Sequence, residues 1–154
     1  MEKKTFAFPI VLVTLLSLTT IGAFAADMFS GKWKVKTGTT NTQEIISVSN
    51  GIRIVADSVN ATGIKEHREF TVQFDGKDYP FKQTVDGKPI TDGNDMVSAK
   101  KIDDHTLELT RKRQGAVHAV IKIIVSKDGK TLTSSVNGMD QGQSYTAATI
   151  YEKQ

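Results

Sequence analysis

The chain of 154 residues contains no cysteine. That excludes a disulfide framework, a thiolate metal site and a thiol nucleophile. Proline is scarce, with three residues, and a glycine count of 12 is ordinary, so neither a collagen-like nor a low-complexity chain is in question. One-sided charge is missing as well: 20 Lys and Arg face 17 Asp and Glu. A net +3 is too small to argue for a polyanionic partner. Helical periodicity is absent too, since no window of a dozen residues repeats apolar positions at i, i+3, i+4 and i+7.

What is present begins with an unusual N-terminus. Lys3 and Lys4 precede a run without charge from Thr5 to Ala26, which contains Ala23-Phe24-Ala25. A positive start, an apolar stretch and small residues at the −3 and −1 positions read as a cleavable signal peptide. The uncharged run is also long enough to span a membrane. Pro9, the polar Thr14, Ser17, Thr19 and Thr20, and the Ala-x-Ala ending favour cleavage. The expected layout is a leader at 1–25 and one β-barrel domain at 26–154. The leader removes one unit of the net charge, leaving the remainder still closer to balance. No cysteine follows it to carry a lipid, so the expectation is a soluble, monomeric protein, periplasmic or extracellular, with no stable membrane anchor.

The rest alternates with period two. Ten strands are expected, at 32–37, 43–49, 52–57, 66–74, 78–83, 95–101, 105–112, 116–125, 131–137 and 144–152. Ser49-Asn50-Gly51, Asp75-Gly76-Lys77, Asp103-Asp104, Gln114-Gly115 and Asp128-Gly129 supply the tight turns between them. Asp-Gly-Lys recurs at 75, 86 and 128 as turn chemistry without a repeat period. Short turns force antiparallel neighbours, because a parallel crossover needs a dozen or more residues. Only 58–65 and 84–94 are long enough to wander. The expected fold is all-β, an antiparallel up-and-down meander closed into a small barrel, since an open sheet exposes two edges.

Parity assigns the faces. Phe70, Val72 and Phe74 oppose Glu69, Thr71 and Gln73, and Leu107 and Leu109 oppose Glu108, Thr110 and Lys112. Trp33 and Val35 oppose three lysines. Strand 116–125 is apolar on both sides, because Val120 and Ile124 interrupt its polar face. Such a strand calls for a covering loop, or else a partner chain.

Two segments resemble the calycins, the superfamily of lipocalins and fatty-acid-binding proteins. Phe29-Ser30-Gly31-Lys32-Trp33-Lys34-Val35 is similar to the Gly-x-Trp of their first strand. Ala148-Thr149-Ile150-Tyr151-Glu152-Lys153 is similar to the last strand of fatty-acid-binding proteins. The resemblance implies a barrel closed at one end by Trp33 and holding a small molecule inside. It departs from the family in two ways. Only about Gly38 to Thr42 is available where a helix pair covers those barrels, and Thr149 stands where their carboxylate-binding Arg falls. A lone phenol at Tyr151 does not grip a carboxylate bidentately, whereas a neutral ligand remains compatible. The stretches around Asp75–Pro80, Ile102–Glu108 and Ser126–Thr133 also resemble a group of small, uncharacterised exported bacterial proteins, which carries no activity with it.

Little points to catalysis. His67, His105 and His118 show no metal-ligand spacing, and Gly-x-Ser-x-Gly is absent. Arg111-Lys112-Arg113 with Lys100-Lys101 is basic but lacks exposed aromatics for stacking on bases, so no nucleic acid is expected. No enzyme activity, cofactor or metal is expected. Arg111 shares the parity of Leu107 and Leu109, so it points inward near one barrel end or snorkels to water. The expected ligand-binding set is Phe70, Val72, Phe74, Leu107, Leu109, Arg111, Ile121, Ile123, Tyr145, Thr149 and Tyr151, with Ala147 lining the same space. The expected ligand is small and apolar or amphipathic. Small barrels also fill with their own side chains, which leaves open a solid core whose outer face or loops bind another envelope protein.

Overall fold

A computed structural model describes residues 27–37, 40–90, 94–140 and 142–154. The expected leader lies outside the described residues. The chain forms twelve strands: β1 (Gly31–Val35), β2 (Asn41–Val48), β3 (Gly51–Val59), β4 (Lys65–Gln73), β5 (Tyr79–Pro80) and β6 (Lys82–Val85), followed by β7 (Lys88–Pro89), β8 (Met96–Asp103), β9 (Thr106–Arg113), β10 (Ala116–Val125), β11 (Thr131–Asp140) and β12 (Gln143–Lys153). They make one antiparallel sheet in the order β5-β8-β9-β10-β11-β12-β1-β2-β3-β4-β6-β7. Among the described residues there is no helix.

The turns follow their sequences. Gln114 and Gly115 both take positive φ, 50° and 80°, as do Asp86 and Gly87 at 46° and 77°. Two successive residues of that kind make the hairpin turn whose twist matches the flanking strands. The Asp103 carboxylate accepts the His105 N–H at 2.7 Å, which fixes the reversal between β8 and β9.

Two expectations need correcting. The segment 78–83 is not one strand. It divides at Phe81, so that β5 pairs with β8 while β6 pairs with β4. Phe81 is buried between them, and its N–H donates to the Asp95 carbonyl. A further short strand, β7, lies in the 84–94 connection, which brings ten expected strands to twelve.

The second correction is that the barrel is not closed; the sheet is a strongly curled, open half-barrel. β4 and β8 lie side by side without exchanging ladder hydrogen bonds. The physical cause is competition for edges. β6 occupies the edge of β4 along Glu66–Glu69, and β5 occupies that of β8 at Met96–Val97. The two outermost strands each contain a proline, Pro80 and Pro89, which cannot extend a ladder and so guards an edge.

The concave side holds the core. Trp33, Ile52, Val72, Leu107 and Leu132 are fully buried in one packed end. The Trp33 indole N–H donates to the Phe29 carbonyl at 2.9 Å, and the Lys153 ammonium lies 5.2 Å from the ring centre. The convex side is wet and charged, as in the Arg53–Glu69 pair at 2.7 Å across β3 and β4. No described loop covers β10: Ile124 is 39% exposed, in register through Thr133 with Ile150 at 49%.

Candidate functional site

Above the packed end the concave side is hollow. A cavity of about 250 Å³ lies between the β4–β6 wall and the β9–β12 wall. Its apolar surface comes from Ile54 on β3, Phe70 on β4, Phe81, Leu109 on β9, and Ile121 and Ile123 on β10. Small residues floor the opposite wall: Ala119, Ser134, Val136 and Ala147. The cavity exists because these side chains are too short to meet the phenylalanines across the curl.

Strand register then sets the mouth. Arg111, Ala119, Gly138 and Tyr145 align across β9 to β12 in one row. The Tyr145 ring lies against the Gly138 backbone, in space that a Cβ at Gly138 would occupy. Outside that row, Glu66, Gln83, Ile90, Arg113 and His118 line a wider groove that shares Arg111 and Tyr145 with the cavity.

Of the sequence-expected ligand residues, Phe70, Leu109, Arg111, Ile121, Ile123, Tyr145 and Tyr151 line the cavity, as does Ala147. Val72 and Leu107 share their parity but sit fully buried in the packed end with Trp33. Phe74, just past the end of β4, packs against the core without reaching the cavity. Thr149 lies beside the Tyr151 phenol and outside the lining.

Arg111 points inward. Its guanidinium lies 4.0 Å from the centre of the Phe81 ring and donates to the Gln83 side-chain oxygen at 3.3 Å. Burial, reinforced by the positive charges of Arg68 and Arg113, lowers its pKa to about 10, with Tyr145 and Asp95 acting in the opposite sense. Burial also raises the pKa of Tyr151, against the charge of Arg68 and hydrogen bonds from Asn41 and Thr149.

Several lining residues were not anticipated, and the two that bear most on the chemistry are Arg68 and Gln43. Parity was the available signal. Arg68 is two residues before Phe70 on β4, and Gln43 is two before the buried Ile45 on β2. Each has a buried donor without a hydrogen-bond partner, Nε of Arg68 and Nε2 of Gln43. They face one another across the ladder through Ala56, since Gln43 pairs with Ala56 and Ala56 with Arg68.

No protein-family model matches the chain, and no curated protein matches it. The Gly-x-Trp strand and the C-terminal strand therefore stand as resemblances in this chain's own residues.

Proposed function

We propose that this is an exported, non-enzymatic carrier of lipocalin-like kind that holds a small apolar or amphipathic molecule inside the half-barrel. The observation that carries the reading is the cavity itself. About 250 Å³ of space, walled by Phe70, Phe81, Ile121 and Ile123, is kept open above a fully packed end. Concave, mostly apolar space with a few converging polar groups is the usual form of a small-molecule site. The likeness of Trp33 and Tyr151 to the first and last strands of calycins supports the same reading, as does a leader that would deliver the carrier outside the cytoplasm. The test is to purify the protein without denaturation, extract it with solvent and seek a stoichiometric small molecule by mass spectrometry. An empty extract, together with no calorimetric binding across a panel of lipids and aromatics, refutes the carrier.

A second reading has its own observation. The exposed Ile124 and Ile150 on the convex face of β10–β12 suit an interaction module that docks on another envelope protein. A pull-down from an envelope fraction, lost in an Ile124→Lys variant that still binds cargo, separates the two roles.

A further inference from the structure

The polar side chains over the cavity are Gln43, Arg68, Arg111, Ser134, Tyr145 and Tyr151, with no carboxylate among them. Arg68 Nε is buried without a hydrogen-bond partner, and among the described residues Arg111 has only its long bond to Gln83. Among the described residues no acid lies within ion-pair distance of either guanidinium. Asp95, whose charge Arg111 feels, is engaged with Arg113 at 3.5 Å, and Glu66 stands in the outer groove. Among the described residues, two half-buried arginines thus share an apolar-walled space with each other's charge and without a counterion.

That arrangement is unusual, because buried charges are ordinarily paired. A water molecule can accept a hydrogen bond from one donor, but it neutralises neither guanidinium. Only an anion relieves the desolvation and the mutual repulsion together. An oxyanion also accepts several N–H donors at once, in the forked geometry that guanidinium favours. The unpaired Nε2 of Gln43 offers one more donor on the same wall.

We infer that the cavity takes a compact organic acid, with its anionic group between Arg68 and Arg111 and its apolar body against Phe70, Ile121 and Ile123. The inference rests on the carrier reading and specifies its ligand class. Size follows from the volume: about 250 Å³ falls below the roughly 300–1,000 Å³ of sites for drug-sized molecules. The anchoring charges come from β4 and β9, not from the last strand, where Thr149 stands.

The test titrates the full chain at pH 7 with octanoate and with 1-octanol by calorimetry. These probes share a chain and differ in the charged head. Octanoate should bind at least about tenfold more tightly than octanol, the weight of one charge-assisted contact. Arg68→Met and Arg111→Met should each cut the preference for octanoate over octanol about tenfold or more, with circular dichroism reporting an intact fold. Equal binding of the two probes by the wild-type protein overturns the acid and leaves the carrier standing. A preference for octanoate that survives both substitutions overturns the assigned residues. Binding of neither probe overturns the acid, and the carrier falls with it only if the solvent extract is also empty.

Discussion

Replacing Arg111 by Met should stabilise the unliganded protein. The guanidinium is half-buried, without a counterion among the described residues, and burial lowers its pKa from the ordinary arginine range to about 10. At about 1.4 kcal/mol per unit, keeping the charged form in the fold costs at most about 3 kcal/mol. Two favourable contacts offset part of this. The Phe81 face at 4.0 Å contributes about 1 kcal/mol, and the Gln83 hydrogen bond contributes on the order of 1 kcal/mol. Methionine keeps the apolar stem and removes the charge, so the net gain is on the order of 1 kcal/mol, or about 4 °C in Tm. Its pH dependence is fixed by the direction of the shift. Below pH 10 the group is charged in both folded and unfolded chains, so the gain of the variant is flat. Above about pH 10, and up to the ordinary arginine range, the unfolded chain holds a proton that the folded one has shed. The wild-type protein therefore recovers stability there relative to the variant. Urea denaturation followed by circular dichroism, at neutral pH and above pH 10, measures both effects. A variant destabilised by 1 kcal/mol or more at neutral pH refutes the reasoning, because it would mean that the charge is compensated in the free protein.

Three other substitutions probe the frame. Gly51→Ala should destabilise by about 1–3 kcal/mol, against the ordinary preference of strands for Ala over Gly, because the new Cβ would lie 2.2 Å from the Val72 carbonyl oxygen; an unchanged urea midpoint contradicts this. Trp33→Phe should cost about 2–3 kcal/mol, since it removes packed volume and leaves the buried Phe29 carbonyl without the indole N–H; thermal denaturation reads it. Arg53→Ala should abolish a small stability term, a few tenths of a kcal/mol, that the wild-type protein loses as pH falls. The Arg53 hydrogen bond and charge hold the Glu69 carboxyl below its ordinary range, so the pair stabilises above the ordinary value and fades on acidification; comparing acid titrations of the two proteins checks it.

Much of the architecture was legible because strand alternation and turn chemistry are local. Phe70, Leu109, Ile121 and Ile123 face the concave side for the parity reason alone. The division at Phe81 was not legible. Tyr79 to Val85 contains no turn residue after Pro80, and which edge each half joins depends on β4 and β8, which are distant in sequence. Closure failed for the same reason, since a ring is decided by competition between edges and not by any one strand. Parity also cannot tell depth: Leu107 and Leu109 face the same way, yet one lies in the packed end and the other on the cavity. Arg68 was hidden by its chemistry. In the run Lys65-Glu66-His67-Arg68-Glu69 it reads as part of a solvated face, although its alternation with Phe70 turns it inward.

The pairing of β1 with β12 bears on how the molecule comes into being. Trp33 lies opposite Lys153 and Val35 opposite Tyr151, so the first and last strands sit in the middle of the sheet. A ribosome releases β12 after every other strand of the sheet. Until then β1 to β4 and β8 to β11 are two ribbons with no ladder between them across the centre. The joining contact spans nearly the whole described chain, and contacts of such sequence separation form slowly. The single curled sheet should therefore not form until β12 is free, and a truncation at residue 142 should leave two ribbons in its place.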